Sequence, residues 1–343
     1  MMESMFLGVM KMIGDKISIL VPCYNEEENV VSVAEEITRI MTTKLTGYEY
    51  EIIFRDNAST DNTVVMLRRL ASKDNHIKVI VNSRNYGVFP DNNTFLGKIS
   101  GNICIGVPCD LQDPLEIIVE LVEWYEKGYE VVAGQKISSE EGVIKYGFRQ
   151  LYYKILQFFS ERKRVANISG SILMSKRIYE IYNSGYKFQM FDTFAADCGI
   201  EIKTVPYRQK KREHGKSSYN LARSFNYSIN GLIQTSIKPI RIATVLGTIF
   251  SSVSFVAGLV YFILKIIFWK MFPAGTTPIL LGMFFIGSIQ LLFLGLIGEY
   301  VGQIYKLTTP SNPAVVSELI NFDDEIVNST LIIKNKNYLE EDN

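Results

Sequence analysis

An α/β architecture with a doubly wound, mostly parallel sheet, followed by a pair of long apolar segments, is what this sequence predicts. Three observations carry it. Near-continuous apolar runs rich in β-branched residues recur through the first 140 residues. Stretches with helical punctuation alternate with them. Two runs without a single charged residue follow near the C-terminus.

The strands come first. "KISILVP" (Lys16–Pro22), "YEIIF" (Tyr50–Phe54), "IKVIV" (Ile77–Val81), "NICIGV" (Asn102–Val107) and "YEVVAG" (Tyr129–Gly134) are apolar on both alternating faces. Strands of that kind are buried on both sides, as in parallel sheets covered by helices. The intervening stretches read as helices. Asn29–Met41 follows an acidic turn, Asp61–Ser72 follows Ser59 and Thr60, and Pro114–Lys127 opens on a proline, which the first helical turn tolerates. Alternation of this type builds a doubly wound layer structure.

The C-terminal half obeys other rules. Ile242–Leu264 carries no charge. At 1.5 Å per residue it spans roughly 34 Å, enough for a bilayer core of about 30 Å. A second uncharged run, Met271–Gly298, is densest at Ile279–Ile297, and the short loop between holds Pro273, Gly275 and Pro278. The pair predicts a two-helix transmembrane hairpin (241–298, spans near 242–264 and 279–298) rather than two core helices. A hairpin returns the chain to its starting side. Lys238, Arg241 and Lys306 flank it there, while Lys265 and Lys270 lie in the opposite loop, so the positive-inside signal is weak.

Composition limits the function classes. In 343 residues, 36 Lys and Arg balance 36 Asp and Glu, which argues against a nucleic-acid partner. Cys23, Cys104, Cys109 and Cys198 lack metal-like spacing and read as reduced thiols in a cytosol-facing domain. Two histidines, His76 and His214, are too few for a histidine-built zinc site. Residues 1–14, "MMESMFLGVMKMIG", read as a leader without the basic start of a signal peptide.

In open α/β sheets, ligands bind beyond the carboxyl ends of the strands. Here those ends read "PCYNEEENV", "RDNASTDNT", "NSRNYG" and "PCDLQDP". Any one is an ordinary polar loop, and Asp61 alone reads equally as a helix cap. Four acid- or amide-rich ends in register predict a shared site.

Those residues, with "KREHGKSSYN", "KPIRIAT" and "LGLIGEYVGQIY" further on, resemble the family-2 glycosyltransferases of the GT-A fold. Among these, the polyprenyl-phosphate transferases are most alike, over roughly residues 15 to 307. The resemblance implies a catalytic domain at 15–216, an interfacial amphipathic region at 217–240, the hairpin, and a cytoplasmic tail at 299–343. It implies a nucleotide-sugar donor whose base and ribose meet Pro22, Tyr24 and Glu26, with Asp56 as acceptor. Arg84 and Lys216 join the substrate-binding set. Asn57 stands where a second aspartate is frequent, and Arg55 where an apolar residue is common.

The family's acidic strand-end motif is Asp-x-Asp-x-Gln, and here it reads Pro108-Cys109-Asp110-Leu111-Gln112. The resemblance therefore implies a divalent cation, Mg2+ or Mn2+, on Asp110 and Gln112, with Asp110 also catalytic. Hard oxygen ligands suit such ions, which stabilise a leaving diphosphate. Asp113 either assists or starts the next helix. Proline cannot donate to a sheet, so the strand is expected to end at Val107.

The implied acceptor is a polyprenyl phosphate. Its ionised oxygen attacks without a strong base, in one inverting displacement. The basic run Tyr207–Tyr219 fits a pattern in which Arg212 and Ser217 act on phosphates, with Gly215 as the bend; a membrane-surface patch is the other reading. Gly170 and Asp192 depart from family positions near the acceptor. Leu221, Phe225, Ile229, Leu232 and Ile233 form an apolar stripe on an expected interfacial helix, and Arg149–Phe159 is a second candidate. A homo-oligomer is compatible with all of this. Two rival functions are a processive polysaccharide synthase, whose Q-x-x-R-W motif is missing at Trp124 and Trp269, and a degenerate transferase-like membrane protein.

Overall fold

The computed structural model describes residues 15–87, 95–139, 165, 168–185, 191–209, 238–268, 276–308, 315–330 and 332. The chain divides into two compact units. One holds residues 1–150, 162–220 and 312–343, and the other 151–161 and 221–311.

The first unit is built on an eight-stranded sheet. Its strands are β1 (Lys16–Cys23), β2 (Glu49–Asp56), β3 (Ile77–Asn82), β4 (Ile103–Gly106), β5 (Val131–Ser139), β6 (Ile168–Ser175), β7 (Lys203–Gln209) and β8 (Val316–Ile320). Their spatial order is β7-β5-β6-β4-β1-β2-β3-β8. All five apolar runs of the sequence are strands. Val107 N–H still bonds Leu20 O at 2.9 Å, so pairing stops just before Pro108, as expected.

The sheet is less parallel than the sequence predicts. β3, β2, β1 and β4 run parallel, as do β5 and β7. β6 pairs antiparallel with both β4 and β5, and β8 pairs antiparallel with β3. The correction has a physical reason. Parallel neighbours need long crossovers, and the central strands have them; β6 and β8 return from long excursions and enter the sheet the other way.

Helices cover both faces. On one lie α1 (Val30–Thr43), α2 (Thr63–Lys73) and α3 (Ile117–Glu126). α1 buries Val30, Val33, Ala34, Ile37, Ile40 and Met41, a helical stripe. Leu67 of α2 and Leu121 of α3 are fully buried beside it; each such side chain stabilises the fold by about 1.5–3 kcal/mol. On the other face lie α4 (Lys176–Gly185) and α5 (Phe191–Cys198), which bring in Ile178, Tyr179 and Phe194.

The amino ends of the strands are closed by a buried acid. Glu51 of β2 accepts hydrogen bonds from Ser18 Oγ (2.5 Å) and Ser100 N–H (2.8 Å). Lys78 Nζ lies at 2.9 Å and Lys16 Nζ at 3.2 Å. Burial alone would raise the Glu51 pKa, but the Ser18, Ser100 and Lys78 hydrogen bonds outweigh it and hold the carboxyl at about 2. Gly101 lets the backbones meet here, because a Cβ would lie 2.6 Å from Lys16 O.

Two long helices make up most of the described second unit, α6 (Lys238–Ile267) and α7 (Thr276–Thr308). They touch where Gly247 faces the Phe293 ring, 3.4 Å from a Cβ placed there. Among the described residues one stretch, Phe285–Gly302 in α7, is long and apolar enough to cross a membrane, with mean hydropathy 1.5; Ile240–Phe250 in α6 is a shorter apolar helix. The expected interfacial helix at 149–159 lies outside the described residues, as does the interfacial region expected at 217–240 except for 238–240, which form the first residues of α6. A last short helix, α8 (Asp324–Ser329), follows β8.

Candidate active site

The carboxyl ends of β1, β2, β3 and β4 meet at one edge of the sheet. Four residues other than glycine have φ in the left-handed region among the described residues: Asn25 (55°), Ala58 (61°), Leu111 (54°) and Asn321 (62°). Three of them sit just past β1, β2 and β4. Alanine and leucine adopt this conformation only at a cost, and such strain concentrates at functional sites.

The first two loops are stitched together. Asn25 N–H donates to Ser59 Oγ at 2.9 Å, and Asn25 Oδ1 accepts from Thr60 N–H at 2.8 Å. Glu26 N–H donates to Thr63 Oγ1, and Glu27 accepts from Asn62 N–H, both at 2.9 Å. Asp61 takes the Thr63 and Glu27 N–H groups and so bridges the two loops; it is not the cap of α2, because the N-cap is Asn62 and has no side-chain cap bond. Three of the predicted donor residues lie on the first of these loops or at its start. Pro22 and Tyr24 are exposed, while Glu26 is half-buried and accepts from Asn29 Nδ2.

Asp56 stands apart from them. It is fully buried, and its carboxylate accepts Ser59 N–H (2.9 Å) and the Ser59 hydroxyl. Burial pushes its pKa up against those Ser59 bonds. In this conformation Asp56 fixes the strained turn at Ala58 and is shielded from solvent.

Asn57 explains its own identity. Its Oδ1 accepts from Asn82 Nδ2 and Tyr86 N–H, both at 3.0 Å. Its Nδ2 donates to Gly87 O (2.9 Å) and Asn85 Oδ1 (3.1 Å). An aspartate cannot donate, so only the amide makes all four bonds. Asn57 is the hub of the loop after β3, where the exposed Arg84 guanidinium stacks on the Tyr86 ring at 4.1 Å. Arg55 points to the opposite sheet face and lies 5.4 Å from the Phe95 ring centroid. That places it in the packing behind the site.

The loop after β4 holds the strongest candidates. Asp110 is half-buried; one of its oxygens accepts Gln112 N–H at 3.3 Å, and among the described residues the other meets no donor. Gln112 Oε1 lies 3.4 Å from Gln209 Nε2. Asp113 is buried, and its oxygens take the Tyr207 hydroxyl (2.6 Å) and Ser171 Oγ (3.2 Å). These bonds tie the loop to β6 and β7, a role beside the two the sequence offered, assisting at the site or starting the next helix. Tyr207, Gln209 and Ser171 were not among the sequence candidates, and only their contacts to this loop identify them.

Pro108 and Gly170, two of the departures from the family pattern, are neighbours. A Cβ at Gly170 would lie 3.1 Å from Pro108 Cγ. Arg212, Lys216 and Ser217 lie outside the described residues, as does the side chain of Asp192. All four cysteines are free, and burial pushes the Cys23 and Cys104 thiols up. No group of three or more His, Cys, Asp or Glu gathers around a metal-sized space among the described residues.

Comparison with known proteins decides the family. The Glycosyl transferase family 2 profile matches residues 18–183. The bactoprenol glucosyl transferase of Shigella phage SfX is 30% identical over 301 residues, spanning 87% of this chain and 97% of that protein. The chain belongs to glycosyl transferase family 2. It is a glycosyltransferase, and its mixed sheet is of the GT-A type the sequence resemblance implied. An uncharacterized glycosyltransferase of Synechocystis sp. is 29% identical over 307 residues, or 89% of this chain and 95% of the relative. Among solved structures, a mannosyltransferase of Pyrobaculum calidifontis, in complex with GDP-Man and Mn2+, aligns with TM-score 0.47 and 18% identity over 66% of this chain and 64% of its own. That likeness is too loose to carry ligands across.

Proposed function

We propose that this glycosyltransferase moves one sugar from a nucleotide sugar, of the uridine diphosphate class, to the phosphate of a membrane polyprenyl phosphate, with inversion at the anomeric carbon. The observation that carries the reading is the bonding of the Asp110–Asp113 loop to the end of β7. Tyr207 and Gln209 open the basic run and touch Asp113 and Gln112. Arg212 follows three residues later, within about 10 Å of chain. The basic run that the sequence reads as phosphate-binding thus opens, at Tyr207 and Gln209, beside the acids implied to face the diphosphate. The relatives named bactoprenol glucosyl transferase supply the acceptor class.

In this reading the base and ribose lie on Pro22 and Tyr24, flanked by Glu26 and Arg84. Asp56 acts from behind by holding the Ser59 turn. Asp110 and Gln112 fit a hard divalent cation, Mg2+ or Mn2+: one carboxylate has an open oxygen, one amide oxygen is held only by a 3.4 Å bond from Gln209, and such ions take one or two protein carboxylates and complete their shell with substrate phosphates and water. When bound, the cation neutralises charge that develops on the leaving diphosphate. Arg212, Lys216 and Ser217 hold phosphate oxygens. The lipid phosphate is already ionised, so this chain need supply no general base.

The same reading makes the chain a multi-pass protein of the cytoplasmic membrane with its catalytic domain facing the cytoplasm. Sheet pairing supports the hairpin. β1 precedes the long helices and β8 follows them, yet both belong to one sheet. A chain that leaves and rejoins one domain crosses a bilayer an even number of times. If α7 spans, a second crossing is needed between β7 and β8, and the 30 residues of α6 are long enough for it, reaching roughly 45 Å.

Purified full-length chain, given UDP-glucose or UDP-N-acetylglucosamine with Mn2+, is expected to release UDP only when polyprenyl phosphate is present, yielding a single-sugar lipid. A polymeric product, or release with no dependence on the lipid, would overturn the proposal.

A further inference from the structure

β8 lies far from the catalytic loops in sequence, and the chain reaches it only after α7. Yet it begins beside the site. Ser83 N–H bonds Val315 O at 2.9 Å, and Val315 N–H bonds the Tyr86 hydroxyl at 2.9 Å. The Ser83 hydroxyl lies 3.2 Å from the same Tyr86 oxygen. Ser317 Oγ donates to Val81 O at 3.1 Å, at the end of β3. Tyr86 is in turn bound through its N–H to Asn57, at the end of β2. An unbroken set of hydrogen bonds therefore runs from residue 315 to the strand-end cluster.

The rest of β8 is fastened independently. Arg68 Nη2 meets Glu318 Oε2 at 2.7 Å, and Asn321 Nδ2 donates to Ala71 O and Ile77 O, both at 2.8 Å. A plain edge cover needs only these attachments. The Val315–Tyr86 bond is different, because it reaches past the last β3 residue and pins a loop that otherwise has Asn57 as its main tether.

We propose that the start of β8 is a clasp for the donor site: Val315 and Tyr86 are positioning residues that hold the loop 83–87, with Arg84, in its donor-binding form. The proposal rests on the reading that this loop faces the nucleotide. It makes a segment beyond the membrane helices a part of the donor site, so the catalytic fold is complete only once the chain has returned from them. Fixing the loop before binding removes an ordering cost from donor association and leaves the chemical step alone.

The test uses the full-length protein in detergent, with UDP as the probe. Tyr86→Phe deletes the acceptor, and Val315→Pro deletes the donor. Each is expected to weaken UDP binding roughly 5-fold, the equivalent of one hydrogen bond, and to raise the KM for the nucleotide sugar alike, with kcat held. Amide exchange of residues 83–87 should quicken in both. Glu318→Gln, on the same strand, should lower the melting temperature and leave UDP affinity unchanged. Two variants that bind UDP as the parent does, with unchanged exchange at 83–87, overturn the clasp alone. A parent that binds no nucleoside diphosphate overturns the donor reading and the clasp with it. Should Val315→Pro fail to fold, Tyr86→Phe carries the same decision.

Discussion

The amino and carboxyl ends of the central strands are both polar, and they are built in opposite ways. At the amino ends Glu51 is buried among Ser18, Ser100, Lys16 and Lys78, in backbone free of positive φ. At the carboxyl ends Asn25, Ala58 and Leu111 are left-handed, at a cost for Ala58 and Leu111, and Asp110 keeps an oxygen open. The first cluster satisfies its charge within the protein. The second spends backbone strain to hold groups toward something else. A buried polar network is thus no sign of function by itself; strain beside unsatisfied oxygen is the better marker.

The contrast is broken most severely at Asp110. Asp110→Asn keeps the shape and removes the anion that suits a hard cation. Sugar transfer is expected to fall about 10³-fold, roughly 4 kcal/mol of barrier, with an unchanged melting temperature. A folded variant that transfers at the parental rate would remove the cation assignment.

Glu51→Gln should show the reverse pattern. It leaves the Lys78 and Lys16 ammonium groups without their anion, which is expected to cost about 3 kcal/mol of stability, while kcat/KM stays parental. The pH dependence follows from the same group. Its folded pKa, about 2, lies below its ordinary value of 4.5. The stabilisation is therefore complete above pH 4.5 and is lost as pH falls toward 2, a span worth roughly 3 kcal/mol. Urea titrations across that window should show the loss in the parent and a flatter profile in Glu51→Gln.

Asn57 separates the two ends more finely. Asn57→Asp loses both donated bonds and sets a carboxylate against Gly87 O and Asn85 Oδ1. The KM for the donor is expected to rise about 10-fold, since a charged group now faces two acceptors. An unchanged KM would mean that the loop after β3 does not touch the donor.

How much of this was legible beforehand differs by region for physical reasons. β1 to β5 are buried on both faces, so they read as apolar runs. β6, "ISGSILMS", mixes Gly and Ser with its apolar residues, and β8, "VSELI", is a five-residue strand in the tail beyond the second apolar run. Neither has a period long enough to stand out. The strand-end acids were visible because chemistry needs their residue types. Their division of labour was not: Asp56 is buried, Asp113 is bonded, and Asp110 is open, and only three-dimensional neighbours decide that. Asn57 looked like a weakened acid, whereas its amide nitrogen is the reason it is there.

The smallest expected effect lies at Pro108 and Gly170, and it tests whether the open end has adapted to its missing acid. The Pro108 ring occupies the space above Gly170, 3.1 Å from where a Cβ would stand. Gly170→Ala pushes on that ring, yet it also stiffens the unfolded chain, which offsets part of the cost. The net change should stay within about 1 kcal/mol. Pro108→Asp removes the ring and aims the new carboxylate at β6, the direction the ring now takes. It should therefore leave Mn2+ affinity within about 2-fold of the parent and not restore a second cation ligand. In the double variant the alanine no longer meets a ring, so its cost should vanish, with a coupling of about 0.5–1 kcal/mol. Simple additivity would show that the two positions are independent. A marked gain in Mn2+ affinity for Pro108→Asp would show that the strand end still has room for the acid it lacks.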